Sequence, residues 1–405
     1  MPSLFSRFRR SFASTERRPV PAETKASRAA PIIAISSQGR PVWTPRDYAS
    51  FAREGFQSNP VAHRSIRLIA EAAASVPFDV ATEDTTLHGR LNALLTAPNQ
   101  RQSGAELMEA LYLQLTLAGN AYVECVSLDG NPRELHVLRP DRMRVVPGPD
   151  GWPEAYDYTV HGRSVRFNAS EGPSPILHLM LHHPVDDHYG LSAMEAASTA
   201  IDIHNEASRW NKALLDNAAR PSGALVYAAD GANMNDDQFE RLRRELEDGF
   251  QGAANAGRPL LLEGGLDWKP LSLSPKEMDF IELKNVAARE IALAFGVPPL
   301  VLGLAGDNTH ANYAEANRVF WRQCVAPLVK KTAQSMAVWL SQHAGVAITL
   351  TPDFDAVDAM NDTREALWKS VTAADFLTVD EKRATLGFAP MPQSNAPKDI
   401  NHADR

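Results

Sequence analysis

The sequence predicts an α+β protein, and three observations carry that prediction. Apolar residues recur at helical spacing through two long stretches, 192–219 and 276–295. Short alternating segments with turn residues between them cluster at 121–160. A strand–helix–strand insert, 221–275, separates the two long helices.

Composition sets the outer bounds. A chain of 405 residues can hold a large core or two to three subdomains. Its 44% hydrophobic and 22% charged content is that of an ordinary soluble globular protein. No apolar run reaches the length of about 18 residues that a membrane span needs. Cys125 and Cys324 stand far apart in no C-x-x-C spacing, which argues against a disulfide framework or thiolate zinc site and fits a reducing compartment. The net charge of -8 is uneven: residues 1–30 hold seven Lys/Arg against two Glu, leaving the remainder at -13. A protein that grips DNA by neutralising phosphates has a basic body. This body is acidic, so any role on DNA is one in which DNA passes rather than sticks.

Residues 1–30 are basic and Ser/Pro/Ala-rich and are predicted to be a disordered tail. Leu4, Phe5, Phe8 and Phe12 could form a short amphipathic turn, but no apolar leader core is present and no membrane partner is expected. Asn59 caps, and Pro60 opens, a helix that ends before Pro77. His63 lies within it with no second ligand at i+4, as expected of a solvated or core-edge histidine. Ser103 and Glu106 form a capping box, followed by an apolar stripe of Leu107, Ala110, Leu111, Gln114 and Leu117. Gly119-Asn120 stops that helix, and Ala121–Val126 reads as a strand. Further strands within Arg133–Val146 and Ala155–Val160, with turns at Asn131-Pro132 and Asp150-Gly151, predict a compact β-layer on the preceding helices.

Ser192 caps the first long helix, 192–219. One seam holds Met194, Ala197, Ile201, Ser208, Leu215 and Ala218, another Ala196, Ala200, Ile203, Ala207, Trp210 and Leu214, with Asp202, Glu206, Arg209 and Lys212 between them. Two seams suit a helix packed between two neighbours. After the break at Arg220-Pro221 the insert reads as a strand at Ala224–Ala228, a charged helix from Asn235 to Phe250, and strands at Leu260–Leu262 and Trp268–Leu271. The second long helix has Ser274 as cap, Pro275 in its first turn, Glu277 completing a capping box, and a stripe of Phe280, Leu283, Ala287, Ile291 and Ala294. Gly296 supplies a left-handed end and Pro298-Pro299 stop it. A polar, glycine-bearing loop, Gly303–His310, leads to a helix capped by Asn312 with Glu315, kinked at Pro327 and ending at His343. A strand at Val346–Leu350 and helices within 361–388 complete the chain.

Three of these pieces share a family pattern: Leu94-Leu95-Thr96-Ala97-Pro98-Asn99, then a helix into Gly119-Asn120-Ala121-Tyr122, and Ala292-Leu293-Ala294-Phe295-Gly296-Val297-Pro298-Pro299. Together they resemble the portal proteins of tailed phages with long non-contractile tails, over most of 43–390. The short length and basic tail are similar to the portals of bacterial gene transfer agents.

The resemblance implies a portal fold with long stem helices, a clip insert, an α/β wing and a small helical crown. Its divisions would be a basic tail (1–30), wing (31–190), first stem helix (191–220), clip (221–275), second stem helix (276–296), channel loop (297–311), kinked wing helix and strand (312–360), and crown and tail (361–405). It implies a homo-oligomeric ring of twelve subunits at one capsid vertex of a virion or phage-like particle, assembled in the host cytoplasm. Double-stranded DNA would pass through it non-specifically during packaging and ejection. Expected partners are the terminase large subunit, a head–tail adaptor and the major capsid protein. Gly303, Gly306, Asp307, Asn308, Thr309 and His310 would form the DNA-channel loop. Arg241, Arg244, Glu247 and Arg258 would serve the clip, and Met194, Ile201, Trp210, Phe280 and Ile291 would pack the stem. No cofactor and no catalytic residue are expected, and no G-x-x-x-x-G-K-[ST] motif for nucleotide phosphates is present.

The competing expectation is a metal-dependent hydrolase using His182, His183, Asp186 and His188. The side-chain types suit a divalent metal, but the spacing matches no H-E-x-x-H-type motif.

Overall fold

The computed structural model describes residues 44–128, 131–216, 223–227, 237, 240, 241, 244, 266–270, 280–304, 310–386 and 391. Its centre is a pair of packed helices. Helix α1 (Pro60–Ala74) begins where Asn59 accepts hydrogen bonds from Val61 N and Ala62 N, and buries Ile66, Ile69 and Ala70. It packs on α3 (Gly104–Ala118), which opens on the predicted Ser103/Glu106 capping box. Between them in sequence come β1 (Phe78–Ala81) and α2 (Thr85–Thr96), the latter capped by Asp84.

The strands follow as two small antiparallel sheets. The order β3-β2-β7 joins β2 (Asn120–Leu128), β3 (Asn131–Leu138) and β7 (Ile176–Met180). The order β4-β5-β6 joins β4 (Met143–Pro147), β5 (Pro153–Val160) and β6 (Arg163–Asn168). Tyr122, Leu138, Met143, Val145, Tyr156 and Ile176 close a second, smaller core between these sheets. The predicted turn at Asp150-Gly151 is present, with Gly151 at φ 86°. The turn predicted at Asn131-Pro132 is not: both residues already pair in β3, with Asn131 opposite Leu128.

Helix α4 (Ser198–Asp216) and α5 (Phe280–Ala294) pack together and against the α1 side of the core. The expected single helix from Ser192 is divided. Ser192 does cap a turn at Ala193–Ala196, but the chain re-sets at Ala197 before α4 begins, and residues 217–219 lie outside the described set. Strands β8 (Gly223–Tyr227) and β9 (Leu266–Pro270) pair antiparallel, in line with a strand-bounded insert. The remaining calls on 221–275 fall largely outside the described residues, as do the cap residues Ser274, Pro275 and Glu277.

The last long helical run joins α6 (His310–Val319), a π-helical turn (Phe320–Val325) and α7 (Ala326–Ala344). Asn312 therefore lies inside α6 rather than capping it. The predicted strand at Val346–Leu350 begins later, as β10 (Thr349–Pro352), because its pairing partner is β1, with Phe78 opposite Pro352. Helices α8 (Asn361–Ala373) and α9 (Val379–Thr385), the latter with a Thr378/Glu381 capping box, end the described chain apart from residue 391.

Candidate functional site

Each of the three sequence phrases resolves into a specific packing device. Gly119 takes φ 71° and its carbonyl accepts Leu181 N at 2.8 Å, while Gly190 lies directly against it. Asn120 completes the joint. Its Oδ1 accepts Gly190 N at 2.8 Å and His178 Nε2 at 3.0 Å, and its Nδ2 donates to the Ala118 and Gly190 carbonyls. That fixes His178 as the Nε2–H tautomer, stacked on Tyr122 with ring centroids 4.3 Å apart. Burial and the neighbouring His188 push the His178 imidazole down to about 4. In the Pro98-Asn99 phrase, the Pro98 carbonyl accepts Leu135 N at 2.8 Å and Asn99 Nδ2 donates to Leu135 O at 3.0 Å, docking the α2–α3 connection onto β3.

The third phrase ends α5. Gly296 at φ 67° donates to Leu293 O and Val297 donates to Ala292 O at 2.9 Å, the paired bonds of a Schellman cap. Phe295 and Val297 are buried, and the Cys324 thiol, pushed up to about 11 by burial, donates to Phe295 O. The chain then folds tightly through Val301 N to Pro298 O, Gly303 N to Leu300 O and Leu304 N to Pro299 O. Gly303 is exposed with φ 77°, and nothing lies within 4 Å of where a Cβ would stand. Gly306, Asp307, Asn308 and Thr309 lie outside the described residues; His310 opens α6.

The stem assignments divide. Met194, Ile201 and Ile291 are buried, whereas Trp210 is 41% exposed; of Phe280 only the backbone is described. On α5 the inward residues are Ala287, Ala288, Ile291, Ala292 and Phe295. Leu283, expected in the core stripe, is 43% exposed. With Val286 at 44% and Leu293 at 79% it lies on an outward side that also carries the exposed Glu282, Arg289 and Glu290. At 100° per residue, Val286 and Leu293 point opposite to Ile291 and Phe295.

Sequence reasoning missed how α4 is held. Asp202, expected as a polar divider between the two seams, is buried at 9% exposure and accepts both Thr44 N at 3.0 Å and the Thr44 hydroxyl. Asn59 caps α1 and with the same side chain donates to Asn205 Oδ1 at 3.0 Å and His204 Nδ1 at 3.2 Å. Asn205 Nδ2 donates to Glu54 O at 2.8 Å, and Arg209 pairs with the Glu54 carboxylate at 2.6 Å. The Asn59 cap was legible; its long-range partners, some 145 positions away, were not.

In the His182–His188 segment, Asp186 Oδ1 accepts His188 N and Tyr189 N, and His183 Nδ1 accepts Val185 N at 3.2 Å. The Asp186 and His183 side chains thus serve a turn, while His188 Nδ1 is buried without a hydrogen-bond partner. Among the described residues no three His, Cys, Asp or Glu side chains stand where they could hold a metal ion. His63 is half-buried at the core edge, its Nδ1 2.8 Å from Phe56 O. Of the clip residues, Arg241 and Arg244 lie exposed on helical backbone; Glu247 and Arg258 lie outside the described set.

The comparisons agree with this geometry. The sequence model of the phage portal protein family matches residues 60–387. A chain from the neck of an empty gene transfer agent particle, computed with C6 symmetry, is 55% identical over 87% of this chain and 96% of that one, at TM-score 0.69. A chain from the neck of the native particle, computed with C12 symmetry, gives 55% identity, the same coverage and TM-score 0.67. A protein of Rickettsia bellii is 41% identical over 83% of this chain and 88% of its own length. The three phrases that dock α2–α3 onto β3, lock α3 to β2 and cap α5 thus stand in a chain that belongs to the phage portal protein family.

Proposed function

We propose that this chain forms a twelve-membered ring at one vertex of a gene-transfer-agent or phage-like particle, and that double-stranded DNA is packaged and released through its axis. The observation that carries this reading is the exposure of Leu283, Val286 and Leu293 on the outward side of α5, one helix packed on α4 with its exposed Trp210. A helix that buries one face in its own fold and leaves large apolar side chains on another side outside suits contact with a neighbouring copy. The 55% identity to a particle-neck chain computed with C12 symmetry supports both the location and the count.

In this reading α4 and α5 are the stem, and Gly303–His310 faces the channel. That loop holds no Lys or Arg and the chain beyond residue 30 is acidic, which favours weak, sequence-independent contact with a passing duplex. The 221–275 insert, with nine acids to five bases and with Arg241 and Arg244 outward on one helical face, would meet the terminase large subunit and later the head–tail adaptor. The wing would meet the major capsid protein. The chain's role is structural: it carries no chemistry of its own, and a separate motor hydrolyses nucleotide.

Negative-stain electron microscopy with native mass measurement of the purified full-length chain tests the proposal. Rings with an open axial hole are expected, and Leu293→Glu should abolish them while shifting monomer stability by less than about 0.5 kcal/mol, since the site is exposed. Rings that persist unchanged in Leu293→Glu would remove the α5 face from the interface. Monomers at every concentration, with capsid and adaptor proteins also present, would overturn the ring.

A further inference from the structure

Helix α8 lacks the burial that holds the other long helices. It packs chiefly on the 3-10 turn Asp358–Met360 and on α9. From residue 367 to its end only Val371 is buried. Leu367, Trp368, Lys369 and Ser370 make a complete helical turn with every side chain exposed. A helix of 13 residues is marginal in water by itself.

The cause is a mismatch in length. At 1.5 Å per residue α8 runs about 20 Å and α9 about 10 Å, so α9 can cover only about half of it. The stripe that buries Val371 continues one turn back into Trp368 and Leu367, which stay 42% and 43% exposed. The elbow between the two helices carries the opposite feature: Phe376 is 85% exposed and Val379 61%. Hydrogen bonds fix the corner that presents them. Leu377 N donates to Ala374 O, Thr378 N to Glu381 Oε2 at 2.8 Å, and Lys382 Nζ to Thr372 O at 3.2 Å. A fixed aromatic corner and an uncovered apolar stripe are two different, complementary patches, and within one chain each leaves the other exposed. Copies related by rotation can satisfy both, head to tail.

We propose that Phe376 and Val379 of one copy dock on the Leu367–Trp368 stripe of the next copy, covering the half of α8 that α9 does not reach. The inference rests on the reading of the chain as a ring-forming portal. Four apolar side chains fall far short of the roughly 1,600 Å² that a stable interface between two free proteins buries. The contact therefore forms only where the rest of the ring already holds copies side by side, and it secures α8 rather than the ring.

Cysteine cross-linking with a short bismaleimide tests the pairing. Rings assembled from equal amounts of Leu367→Cys and Phe376→Cys chains should give at least about tenfold more covalent dimer than rings of either variant alone, because each link joins two different positions. Cys125 is buried and Cys324 partly so, and the unaltered chain sets the baseline. Hydrogen exchange decides the matter if the cysteine variants do not assemble. Amides of 367–370 should exchange about tenfold or more slowly in rings of the unaltered chain than in dilute monomer. Phe376→Glu should bring that protection to within about threefold of the monomer while rings still form. Dimers from one cysteine variant alone would show like meeting like and overturn the head-to-tail pairing. Mixed rings that stay unlinked, or α8 protection equal in rings and monomers, would overturn the contact. Failure of the unaltered chain to form rings under the electron microscope would instead overturn the portal reading, and this contact with it.

Discussion

Gly119→Ala isolates the joint between α3, β2 and the 181–190 segment. Two effects add. Alanine at φ 71° costs about 1 kcal/mol of backbone strain. Its Cβ would also stand 2.4 Å from Gly190 O and 2.7 Å from Gly190 C, so backbone rather than a pliable side chain must retreat by about 1 Å to reach ordinary contact. That retreat pulls on the bonds donated by Gly190 N to Asn120 Oδ1, by Asn120 Nδ2 to Gly190 O and by Leu181 N to Gly119 O, each worth about 1 kcal/mol. The expected loss is about 3–4 kcal/mol, a large share of a stability of about 5–15 kcal/mol. Gly151→Ala is the control: φ is 86° but the space around it is open, so the strain of about 1 kcal/mol should stand alone. Urea unfolding of both full-length variants at equal concentration, followed by intrinsic fluorescence, gives the comparison. Losses that agree to within about 0.5 kcal/mol would refute the argument that contact with Gly190 is what demands glycine at 119.

Three further outcomes follow from the polar contacts. The folded chain keeps His178 neutral down to about 4 while the unfolded chain takes up a proton near 6.5, so stability should fall as pH drops across that window, by up to about 2–3 kcal/mol; a melting-temperature profile of His178→Phe should be flatter there. Asp157 acts lower on the scale: bonds from Arg166 and Arg144 hold its carboxyl down to about 2 against 3.8, so its stabilisation is full above pH 4 and lost between there and 2, and Asp157→Asn should lower stability above pH 4 and flatten that acid limb. Asn59→Ala should cost more than the roughly 1 kcal/mol of a helix cap, because Asn205 and His204 lose their partner as well; a double-mutant cycle with Asn205→Ala in urea should show coupling of about 1 kcal/mol or more.

Local chemistry made much of this fold legible. The Ser103/Glu106 box, the Asn59-Pro60 start, the Gly119 and Gly296 ends and the β-layer after residue 120 all arise from residues within a few positions of one another, and each is where the sequence places it. The misses are long-range. Nothing around Phe78–Ala81 announces a strand until Thr349–Pro352 comes to lie beside it. Asp202 reads as a polar divider between two seams unless Thr44, 158 positions earlier, is known to donate to it twice. Pro327 reads as a kink from the sequence, and the structure places a π-turn, Phe320–Val325, immediately before that helical segment, which local spacing does not announce.

Helix α5 shows why the candidate site was only half legible. Its apolar residues obey the helical period on two faces at once, and a period alone ranks neither face above the other. The stripe read from sequence, through Leu283, Ala287 and Ile291, mixes residues from both. The fold separates them: Ala288, Ile291 and Phe295 meet the core, and Leu283, Val286 and Leu293 do not. The monomer needs only the first set to be stable. The second set gains nothing from this chain's own folding, and an exposed leucine at 79% beside a half-exposed valine on one side is a poor choice for a surface that stays wet. The proposed ring would place those residues in a contact outside the subunit, and Leu293→Glu tests that contact because it leaves the first face untouched.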